Sequence, residues 1–450
     1  MLNCVQPNSV QLKYHIIAAA AALLLVVLLN SDDLCAQERE SPHSIVFDAY
    51  MTPAAGAEGL LTLQHLLATA EDRWLPRKIG EERSRPALAL GILYRGAKFM
   101  ALDVPQDHLL MVVAHEVFGH GARFRELGVG RIRYGFDAPI PYGSGDAFTN
   151  FHGEFPVSPL GLLNVSASGI EAQHALADAI TERAVARGRI HYREAWLYFE
   201  SRITGMTYIL TASPTSAAGH DVADYLDKFE EACTPPCAPP TRKYVQQRAL
   251  IALGDPLLYY ALYGFAASYI GSGNTTGPMP LLPMGRGIRM LPSLGFSLAP
   301  YGTEWTARST FQRGQRDEGR GKKVPAVTLL PGVTLTGGTL TGVTLRVGNT
   351  GASTTWGVGA RVADVLRIGA LRVDAAADVW RQPDLLADKT SDPLHTGAGI
   401  IGTTLVPLPR WLRSRWSNGI YVTAGYKSRG FIPGEQLSGG GVLRAGILVR

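Results

Sequence analysis

Two histidines and a glutamate sit inside an apolar run: His115-Glu116-Val117-Phe118-Gly119-His120 follows Leu109-Leu110-Met111-Val112-Val113-Ala114. The apolar spacing predicts one helix from near Asp107 to Gly128, with no other charge between Leu109 and Ala122. Burying imidazoles and a carboxylate without partners costs on the order of several kcal/mol. A metal ion that takes both imidazoles while the carboxylate holds a water removes that cost. The plainer alternative is a pair of core histidines satisfied by backbone and neighbouring side chains. Helical histidines that share a metal usually stand four apart, about 40° around the axis. These two stand five apart, roughly 140°. A one-residue π-bulge absorbs the extra residue, and Gly119 is the residue that permits it.

H-E-x-x-x-H is the zinc motif of the dipeptidyl peptidase III family, and HEVFGH resembles it, with the same glycine before the last histidine. The resemblance covers these six residues and implies metal binding by His115 and His120, without extending to aminodipeptidase activity. Zinc hydrolases of the gluzincin type, which this arrangement resembles, take a third ligand from a glutamate on a separate downstream helix. Glu171, in Ser166-Ala-Ser-Gly-Ile-Glu-Ala-Gln-His174, fits that role on a helix expected to reach about Arg187. The small residues before it would let that helix approach the histidine helix closely. Taken alone, Glu171 reads as an N-terminal helix glutamate favoured by the macrodipole. With His174 one turn on, it also matches the Glu-x-x-His spacing of di-iron bundles, which leaves a two-metal reading open. Glu230-Glu231 is superficially similar to the paired glutamates of the dipeptidyl peptidase III family, but it adjoins a proline-rich Cys segment and ranks below Glu171.

The expected chemistry is hydrolysis of a peptide or protein substrate. One zinc ion is held by His115, His120 and Glu171, with water in a fourth position and Glu116 as general base. Iron or manganese also suits two imidazoles and a carboxylate. An arginine, histidine or tyrosine usually assists the oxyanion, and Arg123, His152, His174 and Tyr134 are the candidates.

Around this helix the chain divides by composition into a leader, 1–36, a helical metallohydrolase-like domain, 37–270, a Gly/Pro linker, 271–288, and a β-barrel-like domain, 289–450. The first segment carries Lys13 and then Ile16 to Leu29 without a charge, which matches the core of a signal peptide cleaved after Ala36. An uncleaved anchor is the alternative. No lipobox precedes Cys35, because Asp32 and Asp33 stand where small and aliphatic residues are required. Export leaves Cys233 and Cys237 as an even pair, expected to form a short-loop disulfide. The 46% hydrophobic and 18% charged composition describes a globular chain and not a multi-span helical one. Net charge is +5, and its densest basic run, Arg313 to Lys323, reads as a solvated loop; no nucleic-acid signature is present.

The fold class read from these patterns is α+β: a mainly helical, zincin-like segment to about Ile270, then an antiparallel β-barrel or meander. Helices are expected over Leu60–Leu67, Ala87–Met100 and Tyr192–Leu210, and the apolar stretch Ala249 to Ile270 is broken at Asp255-Pro256. Asp137 to Pro159 reads as a long loop able to wall a cleft. From Ser293 onward, eight or nine short alternating runs end at Val442 to Val449. In an exported chain they resemble an outer-membrane barrel, with Trp356, Trp380, Trp411, Trp416 and Tyr421 as a girdle. The final Leu448-Val449-Arg450 departs from that pattern, and a soluble barrel or sandwich is the alternative. Location is thus expected in a bacterial cell envelope, outer membrane or periplasm. The function classes to weigh are a membrane-associated zinc metallopeptidase, a non-enzymatic barrel for transport or scaffolding with a helical plug, and an envelope hydrolase acting on lipid or amide bonds.

Overall fold

A computed structural model describes residues 43–75, 84–143, 147–152, 157–216, 219–233, 238–285, 287–313, 327–330, 333–335, 339–350, 353–368, 371–383, 394–408 and 417–449. The leader and its cleavage site, Trp411, Trp416 and Cys237 lie outside them; Cys233 is disulfide-bonded.

Helices fill the first half. After strand β1 (His43–Asp48) come α1 (Pro53–Trp74) and α2 (Arg85–Lys98). Helical backbone then continues through a π-helical stretch at Phe99–Asp103, α3 (Val104–Val113), a second π-helical stretch at Ala114–His120 and α4 (Gly121–Glu126). Strand β2 (Ile132–Phe136) pairs with β3 (Ala147–Phe151), and β3 lies within the segment expected as loop. Next come α5 (Pro159–Arg187), β4 (Arg189–His191), α6 (Tyr192–Thr211), α7 (Asp221–Ala232) and α8 (Arg242–Ala249). A 3-10 turn at Leu250–Gly254 leads to α9 (Pro256–Tyr263) and a π-helical stretch at Gly264–Gly271. Asp255 accepts the Leu257 N–H and so starts α9 as an N-cap, with Pro256 at the first helical position. α5 begins seven residues before the small-residue run, capped by Ser158 with Pro159 behind it, and Gly188 ends it in the left-handed conformation. Every residue from Leu163 to His174 is buried, so α5 is the axis on which the other elements pack.

The second half is antiparallel sheet, through β5 (Thr276–Pro278), β6 (Leu282–Gly285), β7 (Ile288–Ala299), β8 (Gly302–Arg313), β9 (Val327–Leu330), β10 (Val333–Leu335), β11 (Thr339–Asn349), β12 (Thr354–Ile368), β13 (Leu371–Gln382), β14 (His395–Pro407), β15 (Ser417–Lys427) and β16 (Gly440–Val449). The meander expected from the alternating runs is present. Its order is β1-β16-β15-β14-β13-β12-β11-β8-β7-β6 in a 12-stranded sheet, with the β9-β10 hairpin on β12. The barrel is not: among the described residues β6 and β1 do not pair. β1, which the alternation search did not find, comes from before the helices and takes the free edge of β16.

Helices connect the two edges instead. The Thr62 hydroxyl of α1 donates to the Ser44 carbonyl of β1 at 2.8 Å, and Glu71 of α1 pairs with Lys98 of α2 at 2.6 Å. Arg95 of α2 donates to the Ile270 carbonyl at 3.0 Å, and the Tyr260 hydroxyl of α9 donates to the Pro278 carbonyl of β5. β5 pairs with β4, and the chain passes on through β6 to β7. Segment 271–288 thus contains paired strand.

Three strands bury a charged side chain beside exposed apolar ones. In β11, Arg346 is 2% exposed between Leu345 at 51% and Val347 at 49%. Arg444 of β16 is buried beside exposed Leu443, and Glu304 of β8 beside exposed Trp305. The inward face meets α5: Arg308 pairs with Asp178 at 2.8 Å, and Arg361 pairs with Glu182. Of the expected aromatic girdle, Trp356 is exposed but Trp380 is buried at 1%, packed over Gly397 and Gly430.

Candidate metal centre

The extra residue in HEVFGH is taken up by the π-helical stretch Ala114–His120, as the spacing requires. The stretch turns His115 and His120 towards each other, ring centroids 4.8 Å apart and nearly perpendicular. Gly119 has a second reason to be glycine: a Cβ there would lie 2.6 Å from the Ser168 carbonyl and 2.8 Å from Gly169 Cα. On the facing helix, a Cβ at Gly169 would lie 2.3 Å from His115 Nε2. The small residues of α5 therefore do let it close on the histidine helix.

The carboxylate that joins the two imidazoles is Asp221. Its Oδ2 lies 2.8 Å from His115 Nε2 and its Oδ1 3.2 Å from His120 Nε2, and donor atoms of the three residues all fall within 4.8 Å of one another. Two ligands bound tetrahedrally at about 2.0–2.1 Å stand roughly 3.3 Å apart, close to the two carboxylate–imidazole separations. His120 Nδ1 is anchored 2.8 Å from the Val165 carbonyl, which leaves Nε2 for the ion. Burial alone would lower the His120 pKa; the Asp221 carboxylate, helped by Glu116 and the Val165 carbonyl, raises it instead to about 9. Burial likewise opposes the Asp221 charge, but His120 and His115 outweigh it and hold that carboxyl well below its usual range. The residues present fit a metal: two imidazoles, one carboxylate and an orienting carbonyl.

Glu171 is not part of the cluster. It faces buried Arg123, whose Nη2 donates to both carboxylate oxygens at 2.8 and 2.7 Å, and it accepts the Gly434 N–H at 2.8 Å. The reason is helical phase: Gly169 faces His115, and two residues on, Glu171 points about 200° away. His174, one turn further, is buried beside Arg202 and not at the cluster, so the structure brings no second metal group together on α5 among the described residues.

Glu116 lies at the site. The Thr149 hydroxyl of β3 is 2.5 Å from its Oε2 and 3.1 Å from its carbonyl, so this strand in the expected loop fixes the proposed base. Of the four oxyanion candidates, Arg123 is committed to Glu171 and Glu126, and the Tyr134 hydroxyl accepts from Arg125 at 2.6 Å. His174 faces the other side of α5. No contact joins His152 to the cluster among the described residues. The tyrosine beside the site is Tyr208 on α6, whose ring centroid is 6.4 Å from that of His115 and whose hydroxyl accepts the Asp221 N–H at 3.2 Å. Burial and the nearby Asp221 raise its pKa, so the phenol keeps its proton.

Asp221, Thr149 and Tyr208 are thus the residues that sequence reasoning missed. One signal for Asp221 existed: Val222, Tyr225 and Phe229 repeat at helical spacing and are buried, which makes Asp221 the first residue of an amphipathic helix.

Gly169→Ala should lower metal affinity by about tenfold or more while the chain still folds, because the added methyl meets the His115 ring and not main chain. Metal titration followed by circular dichroism on the same sample checks this; unchanged affinity would remove His115 from the ligand set. Comparisons of the chain with protein-family models, with curated proteins and with solved structures return no match.

Proposed function

We propose that the protein is a metal-dependent hydrolase of amide bonds, acting on a peptide or protein substrate at a membrane. The carrying observation is that donor atoms of His115, His120 and Asp221 fall within 4.8 Å of one another, with the Glu116 charge acting on His120. A divalent ion held there, zinc on this reading, would supply the Lewis acidity that brings a water's pKa towards neutrality and polarises a carbonyl. Glu116, held by Thr149, takes the proton of the attacking water on its carboxylate and returns it to the leaving nitrogen. Tyr208 keeps its proton while accepting the Asp221 N–H, which leaves it free to donate to the oxygen on which charge develops.

Membrane seating is supported by the strands that bury charge beside exposed apolar residues. Apolar side chains such as Phe47, Leu345, Leu443 and Ile447 point outward while Arg346 and Arg444 are buried, and β14 to β16 have 10 to 13 residues against the roughly 9–11 that a tilted spanning strand needs. α2 continues the apolar exterior with Leu90 and Leu93. Among the described residues no single helix is long and apolar enough to cross a membrane; Arg242–Gly254 and Pro256–Gly271 pass only as a pair bent by 59°. An envelope location follows on this reading.

A non-enzymatic barrel for transport or scaffolding is the second reading, favoured by the way α5 occupies the inward side of the sheet. Metal content separates the two. Mass spectrometry of the purified protein should find about one zinc per chain, lost in His120→Ala; iron in its place would redirect the chemistry, since the same donor set suits Fe(II). Absence of any metal after reconstitution would favour the second reading.

A further inference from the structure

On the side of α5 away from the histidine cluster, the helix and the inward face of the sheet enclose a cavity of about 50 Å³. Four arginines from four elements reach its wall: Arg202 of α6, Arg308 of β8, Arg346 of β11 and Arg361 of β12. The carboxylates in the wall are Asp178 and Asp378. Asp178 is engaged by Arg202 at 2.6 Å and Arg308 at 2.8 Å, Glu182 pairs with Arg308 and Arg361, and Glu304 reaches Arg346 only at 3.5 Å. Donors remain after these pairs are made. Arg346 Nη2, Arg202 Nε and His174 Nδ1 have no hydrogen-bond partner, and their residues are 2%, 6% and 7% exposed. A buried guanidinium with open N–H groups is costly unless something accepts from it.

We propose that this cavity binds a small tetrahedral oxyanion of the phosphate or sulfate class. Its volume leaves room for an anion of several water-sized oxygens. Guanidinium groups arranged around it suit an anion of several oxygens, since each presents a planar fork of donors. Ser293, Ser297, Thr306 and Thr344 add hydroxyls to the wall. Arg361, whose side chain is half exposed, marks the opening, and Asp378, lying over Gly359, opposes the anion from the far strand. The site is independent of the metal: Gly169 and His174 are five residues apart on α5, roughly 140° around the helix, so the two centres occupy different faces.

The test is calorimetric titration of inorganic phosphate into the full chain in a phosphate-free non-ionic detergent, after chelator treatment so that no metal can take the anion. Potassium chloride of equal ionic strength is the blank. One saturable site is expected. Arg361→Gln should weaken it by about tenfold, Asp378→Asn should tighten it several-fold, and His120→Ala should leave it unchanged. Sulfate should compete and acetate should not; competition by acetate at equal concentration would replace the tetrahedral class by a carboxylate. Heat no larger than that of the chloride blank, or binding unmoved by both wall substitutions, would overturn the proposal.

Discussion

Glu116→Gln should keep the metal and reduce turnover by about 10²–10⁴-fold, the usual worth of a positioned general base. Glutamine has nearly the same shape and can still accept from Thr149, so the change removes basicity and little else. The companion substitution is Asp221→Asn, which keeps the bulk of the side chain but removes the charge between His115 and His120. It should lower metal affinity by at least tenfold, read by metal content after dialysis. Glu171→Gln should leave the affinity of the folded protein in place, because that carboxylate faces Arg123. Loss of metal in Glu171→Gln with retention in Asp221→Asn would reverse the assignment of the third ligand. Full activity in Glu116→Gln would remove it from the base role even if the metal site stands.

Arg123→Met should destabilise the protein by ~3–5 kcal/mol, measured as a shift of the urea midpoint. Arg123 is 2% exposed and holds Glu171 and Glu126, both buried. It also donates to the Glu435 carbonyl at 3.0 Å, while Glu126 and Glu171 accept the Ser438 and Gly434 N–H groups. Removing the guanidinium leaves two buried carboxylates without a cation and frees the connection between β15 and β16 from the helices. That connection has a second anchor: buried Lys427 donates to the Gly430 and Ser428 carbonyls at 2.8 and 3.1 Å. Glu171→Gln should therefore cost less than Arg123→Met, since the cation remains satisfied by Glu126. Equal midpoints for wild type and Arg123→Met would show that the network contributes nothing net.

The helical first half, the strand runs from β7 onward and the π-helical stretch were legible because each is a local matter of period. Two histidines five positions apart on one helix force either divergence or an inserted residue, and that choice is written in HEVFGH itself. The run Ser166-Ala-Ser-Gly169 likewise announced a close helix contact. What the contact carried was not legible. Glu171 was expected at the metal because it lies on the right helix, but only the packed pair shows that Gly169 is the touching residue, and helical phase then turns Glu171 away to Arg123.

Asp221 stands 106 residues from His115 in a chain with 38 acidic residues, and the helical period that makes it the first residue of α7 does not say what it faces. Its place is fixed when α7 packs on α5 and brings its first turn to the histidines. The sheet follows the same division. Alternation gave strands, but closure depended on which edges meet. β1 is contributed from before the helices, and α1, α2 and α9 lie between the edges where strand pairing would have closed a barrel. By itself, then, the sequence determined elements and the histidine half of the candidate metal cluster, because these depend on neighbours a few residues away. Only the tertiary structure decided the third member of that cluster, the Thr149 support of Glu116 and the open sheet, because each is a contact between side chains or edges that lie far apart in the chain.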